Sequence, residues 1–186
     1  KAEEYYLMAS EVDSLNPSPL YNLANFFDKQ KLYQKSIEYY SRAIAIDSTD
    51  ADYYIARTTP YEALEMYNEA EKDYLKAIEL NPDNEKNYKY LGLLYRDNLN
   101  EPEKTIAQFL KALEINPESS GALNSIGVTY AENLKNNEKA EEYYLMASEV
   151  DSLNPYPLIN LGIMYNDQKK YKKSIEYFSR AIAIDS

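Results

Sequence analysis

The sequence of 186 residues contains no cysteine, no histidine and no tryptophan, and only four glycines. Without cysteine, the chain can form neither disulfides nor thiolate metal sites. Histidine and cysteine supply the commonest catalytic bases and nucleophiles, so their absence argues against an enzyme. The scarcity of glycine, together with the lack of sustained alternation between apolar and polar residues, argues against a β-rich fold.

Long uncharged apolar stretches are also missing, so no segment is predicted to span a membrane. The net charge is −11, from 31 acidic and 20 basic residues. Nucleic acids and anionic membranes both require a basic surface, and neither is expected as a partner. Because the sequence has no glycine-rich phosphate loop and no calcium loop, we expect no cofactor and no metal.

What the sequence does contain is repetition on two length scales. Residues 1–17 recur without change at 139–155, and residues 18–48 recur with substitutions at 156–186. A shorter period of 34 or 35 residues relates six alanines: Ala9, Ala43, Ala77, Ala112, Ala147 and Ala181. A fixed period of this length is typical of stacked repeats and not of a single globular core.

Each short period predicts a hairpin of two amphipathic helices. Apolar residues recur three and four positions apart in two segments of about 13 residues, a spacing typical of helices. Tyr88, Leu91 and Leu94 show this spacing in one first helix, and Ile106 and Phe109 show it in the following second helix.

Prolines punctuate these helices. Pro102 suits the first turn of a second helix, where its missing N–H costs nothing, and Pro117 follows the end of that helix. Pro60 instead falls inside a predicted first helix, where it removes a hydrogen-bond donor and crowds the preceding turn. We therefore expect a kink or a break near Thr58–Pro60.

Small and large side chains occupy fixed positions of the repeat. Small residues recur in the first helices at Ala24, Thr58, Gly92, Gly127 and Gly162. Aromatic residues recur in the second helices at Tyr40, Tyr74, Phe109, Tyr144 and Phe178. This alternation predicts close interlocking between adjacent hairpins.

The pattern Leu158-x-x-Leu161-Gly162-x-x-Tyr165, followed by Ser174, Phe178 and Ala181, resembles the tetratricopeptide repeat. The resemblance implies an all-α fold, a right-handed α-solenoid superhelix of antiparallel helix pairs. It also implies a single array over residues 1–186, with an unpaired second helix in residues 1–16. The repeats are then residues 17–50, 51–84, 85–119, 120–154 and 155–186.

In proteins that resemble this one, the first helices line a concave groove. Projected onto this sequence, the groove-facing positions are Ser18, Tyr21, Asn22, Asn25, Lys29, Asp52, Ile55, Ala56, Thr59, Glu62, Lys86, Lys89, Tyr90, Leu93, Arg96, Asn124, Ser125, Val128, Glu132, Tyr156, Ile159, Asn160, Ile163 and Asp167. From them we select these candidate peptide-binding residues: Tyr21, Asn22, Asn25, Lys86, Lys89, Tyr90, Asn124, Tyr156 and Asn160.

The asparagines are candidates because an amide carries both a donor and an acceptor and can pair with any peptide backbone. Asn22 and Asn160 occupy the same position of the repeat, and Asn124 lies one position away. The alternative is that these amides bond to a neighbouring helix or to water.

The remaining candidates are aromatic or basic. Tyr21, Tyr90 and Tyr156 point to the predicted groove, unlike most of the 21 tyrosines, and are candidate contact anchors. Lys86 and Lys89 could hold a carboxylate, or they belong to a solvated face with acidic neighbours.

These features favour a protein–protein interaction scaffold that binds a peptide segment or partner protein in its groove. Two alternatives stay open, namely a structural array that self-associates end to end and an accessory array of a larger enzyme. The sequence does not identify the partner, and it matches too few of the residues expected for binding the acidic tail of a chaperone.

Overall fold

In the computed structural model, the described residues are 6, 8 and 13–184, and they form ten α-helices and no strand. The helices are α1 (Ser18–Lys29), α2 (Tyr33–Ile46), α3 (Ala51–Ala63), α4 (Tyr67–Leu80), α5 (Glu85–Asp97), α6 (Pro102–Ile115), α7 (Ser120–Val128), α8 (Asn137–Val150), α9 (Tyr156–Asp167) and α10 (Tyr171–Ile184). Each of the five predicted repeats contains two of them. The unpaired helix predicted in residues 1–16 lies outside the described residues, apart from Tyr6, Met8 and the non-helical residues 13–16.

The chain divides into two compact units, residues 1–91 and 92–186. In the first unit, α1 packs against α2, α2 against α3, and α3 against α4. In the second, α7 packs against α8, α8 against α9, and α9 against α10. The short connections make consecutive helices antiparallel neighbours, as the sequence predicts. None of the helices in the described part of the chain has the length and apolarity needed to cross a bilayer.

A left-handed backbone residue recurs in the loop between the two helices of every hairpin. The torsion angle φ is 60° at Lys31, 58° at Glu65, 52° at Asn100, 54° at Lys135 and 59° at Lys169. None of the five is glycine, the residue that adopts this conformation at least cost. The position is therefore fixed by the geometry of the hairpin and not by the local residue type.

The small and aromatic positions meet inside each hairpin, whereas the sequence predicts interlocking between adjacent hairpins. A Cβ added at Gly127 would lie 2.6 Å from the ring of Tyr144, and one added at Gly162 would lie 2.6 Å from the ring of Phe178. At Gly92 the nearest atom would be the ring of Phe109, 3.1 Å away. A glycine thus lets the two helices of a hairpin approach until the aromatic ring of one touches the backbone of the other.

We expect Gly127→Ala to lower the thermal unfolding midpoint, because the added methyl would overlap the Tyr144 ring and overpacking costs about 1–3 kcal/mol. Gly121 is the matched control on the same helix, since a Cβ added there would meet nothing within 4 Å. Gly121→Ala should leave the midpoint unchanged or raise it, because alanine favours helix more than glycine does. Circular dichroism melts of the two variants test this, and equal shifts would contradict the interlocking.

Helix α3 continues through Pro60 to Ala63. Of the kink or break predicted near Thr58–Pro60, the break is therefore wrong. Two features explain its absence: Pro60 lies close to the C-terminal end of the helix, and the preceding turn is held by side chains. Thr58 donates its hydroxyl to the carbonyl of Ile55 at 2.7 Å, and Arg57 is anchored to α4 by two hydrogen bonds to Asp73, each 2.8 Å long.

Beyond α7 the chain widens into a π-helical turn, Thr129–Asn133. Eight positions separate Gly127 from Lys135, whereas seven separate the equivalent Gly162 from Lys169. A single extra residue inserted into a helix is commonly accommodated as a π-bulge. The extra residue of this 35-residue repeat lies between Gly127 and Lys135, in the stretch that contains the π-helical turn.

Candidate functional site

Tyrosine rings dominate the predicted groove face of the first unit. Tyr21 is half-buried, with its ring centroid 5.6 Å from that of Tyr40 and 5.1 Å from that of Tyr53. Tyr90 is 41 % exposed, and its ring lies 6.2 Å from that of Tyr74. Tyr21 is therefore held in an aromatic cluster, while much of the Tyr90 ring stays accessible.

Tyr21 and Tyr90 line one open pocket of about 380 Å³. Its lining is completed by Asp52, Ile55, Ala56, Thr58, Thr59 and Tyr74. The sequence placed most of these residues in the groove but missed Thr58 and Tyr74, because the repeat pattern assigns both to the core. Burial raises the pKa of the Tyr74 hydroxyl, and a hydrogen bond to Glu62 raises it further.

The two asparagines of α1 differ in their surroundings. Asn22 is exposed. Asn25 accepts a hydrogen bond of 2.7 Å from the Tyr40 hydroxyl, so its carbonyl oxygen is engaged within the hairpin. Burial raises the pKa of Tyr40, and the nearby Asp28 carboxylate adds to the rise, which keeps this hydroxyl a donor.

The two lysine candidates of α5 also differ in their surroundings. Lys86 is exposed. Lys89 lies 3.5 Å from the Glu85 carboxylate, one turn earlier on the same helix. An ion pair of this kind on a helix surface contributes little stability, but it places an acidic neighbour beside the predicted carboxylate-binding position.

In the second unit, Asn124 of α7 and Asn160 of α9 contact each other. The Asn160 side-chain nitrogen donates to the Asn124 side-chain oxygen at 2.9 Å. Within the described residues, no other hydrogen bond engages these two amides. Asn160 keeps one N–H donor and its oxygen for a further partner, and Asn124 keeps both of its N–H donors. Tyr156, at the start of α9, is 67 % exposed.

Asn160 also lines a pocket of about 290 Å³ in the second unit. Its other lining residues are Ala131, Glu132, Lys135, Asn137, Tyr144, Ile163, Met164, Asp167 and Gln168. The predicted groove face includes Glu132, Ile163 and Asp167. The sequence missed the contributions of Ala131, Lys135 and Asn137, since they depend on the π-helical turn and the loop that follows it.

Residues 17–50, 61–84, 120–152 and 155–186 match the tetratricopeptide repeat. The chain belongs to the tetratricopeptide repeat family. The predicted fold class, an all-α fold of antiparallel helix pairs as in α-solenoids, is confirmed. A tetratricopeptide repeat protein is a protein–protein interaction scaffold, so a protein partner is implied, and the fold is typically not enzymatic.

Among solved structures, the chain is similar to YrrB, described as a tetratricopeptide repeat protein with an unusual peptide-binding site, at 24 % identity and a TM-score of 0.72. The match covers 98 % of this chain and 93 % of YrrB. It is also similar to MamA, at 26 % identity and a TM-score of 0.73, over 81 % of this chain and 86 % of MamA.

One curated relative is an enzyme. An alignment of 89 positions, which covers 44 % of this chain, is 37 % identical to UDP-N-acetylglucosamine–peptide N-acetylglucosaminyltransferase of Giardia intestinalis. The match spans only 6 % of that enzyme's length.

Proposed function

We propose that this tetratricopeptide repeat scaffold binds an extended peptide segment of a protein partner along its first helices. The observation that carries the proposal is the open pocket between Tyr21 and Tyr90 in the first unit. In the second unit, the amide pair of Asn124 and Asn160 is a separate candidate contact for a peptide.

The pocket suits an apolar side chain of the bound segment. Its volume lies within the range of about 300–1,000 Å³ that is common for ligand sites. Aromatic rings flank it, and the small side chain of Ala56 and the exposed Thr59 leave room between them. Tyrosine provides a large contact area with few rotatable bonds, so little entropy is lost when a partner binds.

The amide pair suits a peptide backbone. Because Asn124 and Asn160 orient each other through one hydrogen bond, their remaining donors and acceptor are held in fixed directions. A backbone offers one donor and one acceptor at nearly every residue, whatever its side chains. The pair is therefore suited to a peptide backbone of any sequence.

A relative supports the same class of ligand. The description of YrrB names a peptide-binding site, and its fold matches nearly the whole of this chain. At 24 % identity the likeness concerns the fold, so the residues proposed here rest on their own geometry.

The proposal is tested with peptides selected from a random linear phage library on the full chain. We expect Tyr90→Ala to weaken binding of a selected peptide by about 30-fold, since truncating an interface anchor costs about 2 kcal/mol. For selected peptides that bind the second unit, Asn124→Ala with Asn160→Ala should weaken binding by about tenfold, through lost hydrogen bonds to the backbone. Fluorescence anisotropy of labelled peptides measures both.

Tyr171→Ala is the matched control, because Tyr171 is 58 % exposed but lies on a second helix. Its affinity for the selected peptides should equal that of the unchanged chain. If Tyr90→Ala and the double asparagine variant also bind with unchanged affinity, the peptide does not occupy the first helices and the proposal is wrong.

An accessory role beside a catalytic domain is a second candidate. It is favoured by the 37 % identity to a segment of a peptide N-acetylglucosaminyltransferase. In that case the selected peptides should be modified faster when this chain is fused to such a catalytic domain, and Tyr90→Ala should remove the acceleration. An unchanged rate in the fusion would exclude this role.

A further inference from the structure

One buried tyrosine of the second helices has a hydroxyl without a partner. Tyr40, Tyr74 and Tyr144 occupy the same position of the first, second and fourth repeats, and all three are buried. The Tyr40 hydroxyl donates to the Asn25 side chain at 2.7 Å, and the Tyr74 hydroxyl donates to the Glu62 carboxylate at 2.6 Å. Within the part of the chain that the structure describes, the Tyr144 hydroxyl makes no hydrogen bond.

The fourth repeat lacks the acceptors that the first two repeats provide. Asn25 lies one position after the small residue of its first helix, and Glu62 lies four positions after the small residue of its own. In the fourth repeat these two positions hold Val128 and Ala131. Their side chains cannot accept a hydrogen bond, so the hairpin leaves the tyrosine hydroxyl unpaired.

The Tyr144 hydroxyl is a donor that can be reached from one pocket. Burial raises its pKa, and the nearby Glu132 carboxylate raises it further, while Arg96 opposes the rise. The residue is 2 % exposed and lines the pocket of about 290 Å³ in the second unit. A buried donor without an acceptor is costly, so a group bound in this pocket gains affinity by accepting from Tyr144.

The same pocket also contains acceptors. The carboxylates of Glu132 and Asp167 line it, together with the Asn160 amide, whose oxygen has no partner among the described residues. Lys135 adds one positive charge to the lining. All of the lining lies between residues 131 and 168, inside the second unit. A bound group therefore meets a donor at the tyrosine and acceptors at the two carboxylates.

This combination favours an uncharged group with both functions. A carboxylate would be repelled by Glu132 and Asp167. An ammonium or guanidinium group carries donors only, so Tyr144 would still lack an acceptor. An apolar group would leave the donor and the acceptors unpaired. A primary carboxamide supplies an oxygen that accepts and a nitrogen with two hydrogens that donates.

The remaining walls suit the aliphatic part of such a side chain. Ile163 and Met164 contribute apolar surface beside the polar groups. Pockets of about 300–1,000 Å³ hold drug-sized ligands, so a pocket of about 290 Å³ suits a smaller group, such as one side chain of a peptide.

We propose that this pocket binds the carboxamide of a glutamine or asparagine side chain. The Tyr144 hydroxyl donates to the amide oxygen, and the carboxylate of Glu132 or Asp167 accepts from the amide nitrogen. The inference rests on the proposed function, because the side chain belongs to the peptide segment bound along the first helices. It gives the second unit a residue preference in addition to its contacts with the peptide backbone.

Methionine methyl groups report on the pocket without any peptide. The chain contains four methionines, of which Met164 lines the pocket, whereas Met146 does not and is 42 % exposed. On the full chain labelled with ¹³C-methyl methionine, N-acetylglutamine N-methylamide should shift the Met164 signal with a Kd of about 1 mM, as expected for a ligand of this size. The Met146 signal should not move.

Two analogues with the same backbone isolate the side-chain contact. The corresponding methionine derivative matches glutamine in length but lacks the amide, and the glutamate derivative replaces the amide with a carboxylate. Both should bind about tenfold more weakly, through lost hydrogen bonds and through repulsion, respectively. Equal affinities of all three derivatives would show that the pocket does not recognise a carboxamide and would overturn the proposal.

Tyr144→Phe removes only the hydroxyl. Phenylalanine occupies this position in the third and fifth repeats, as Phe109 and Phe178, so the fold should persist. The variant should bind the glutamine derivative about fivefold more weakly and the methionine derivative with unchanged affinity. Tyr40→Phe is the matched control, because that hydroxyl is engaged by Asn25 outside this pocket, and it should bind the glutamine derivative normally. Unchanged affinity of Tyr144→Phe for the glutamine derivative would also overturn the proposal.

Phage selection separates this site from the proposed function. Peptides selected on the unchanged chain that bind the second unit should share a glutamine or asparagine at one position, and selection on Tyr144→Phe should lose this preference. Peptides that bind the first helices without it would overturn the carboxamide site and leave the proposed function intact. A Tyr144-dependent Met164 response, together with selected peptides that do not occupy the first helices, would support the site and contradict the proposed function.

Discussion

Replacing Asp73 with alanine is expected to lower the free energy of unfolding by about 3 kcal/mol, since it leaves the largely buried Arg57 charge without its partner. Asp73 is 5 % exposed and accepts two hydrogen bonds of 2.8 Å from Arg57. The guanidinium also reaches Ser41, so it joins α3 to both α4 and α2. Removing the Asp73 carboxylate therefore breaks this contact between α3 and α4 and leaves Arg57, among the described residues, hydrogen-bonded only to Ser41 of α2.

The electrostatics of this pair follow from burial. Burial raises the pKa of the Asp73 carboxyl, and the hydrogen bonds and charge of Arg57 counter that rise in part. Burial alone would lower the pKa of Arg57, but the hydrogen bonds and charge of Asp73 raise it above its ordinary value. Each charge is thus tolerated inside the protein because of the other.

Urea unfolding followed by circular dichroism measures the expected loss. Glu79→Ala is the control, because it breaks the exposed pair between Lys76 and Glu79 and should leave the unfolding midpoint nearly unchanged. A double variant, Arg57→Met with Asp73→Leu, should recover much of the stability, since apolar residues of similar volume often replace a buried ion pair without loss. If Asp73→Ala shifts the midpoint no more than Glu79→Ala, the pair does not hold the three helices together.

Phe109→Ala is expected to destabilise the second unit by about 3–5 kcal/mol, the range for removing a fully buried aromatic side chain. Phe109 is 1 % exposed, and its ring packs against the backbone at Gly92. The glycine cannot fill the space that the ring leaves, so the cavity persists and its cost adds to the lost burial.

Phe178→Ala is the matched variant at the same position of the repeat. Phe178 also packs on a glycine, Gly162, but it is only partly buried. Its removal should cost roughly half as much, because less apolar area returns to water. Urea unfolding curves of the two variants measure the two losses of stability. Equal losses would mean that the deeper burial of Phe109 adds nothing to the stability of its unit.

The helices and their pairing could be predicted from the sequence because the information is local. Apolar spacing identified the helices, and the repeat identified the small and aromatic positions, but only the structure paired Gly127 with Tyr144 and Gly162 with Phe178 inside one hairpin. The break expected at Pro60 was wrong for the opposite reason. The local rule takes no account of the buried Arg57–Asp73 pair or of the position of Pro60 near the end of α3.

The candidate site was predictable only in outline. The groove-facing pattern gave Tyr21, Tyr90 and Asn160, which line the two pockets. It did not show that Asn25 is engaged by Tyr40 or that Asn160 pairs with Asn124, since these contacts join residues 15 and 36 positions apart.

By itself, the sequence determined the class of this protein, because period, helix pattern and the alternation of small and large residues are properties of the chain alone. The tertiary structure decided what each copy of a repeated residue does. Ile37 and Ile175 have nearly the same local sequence, yet one is buried and the other exposed. Burial depends on which helix packs alongside, and that neighbour is set by the fold and not by the residues on either side.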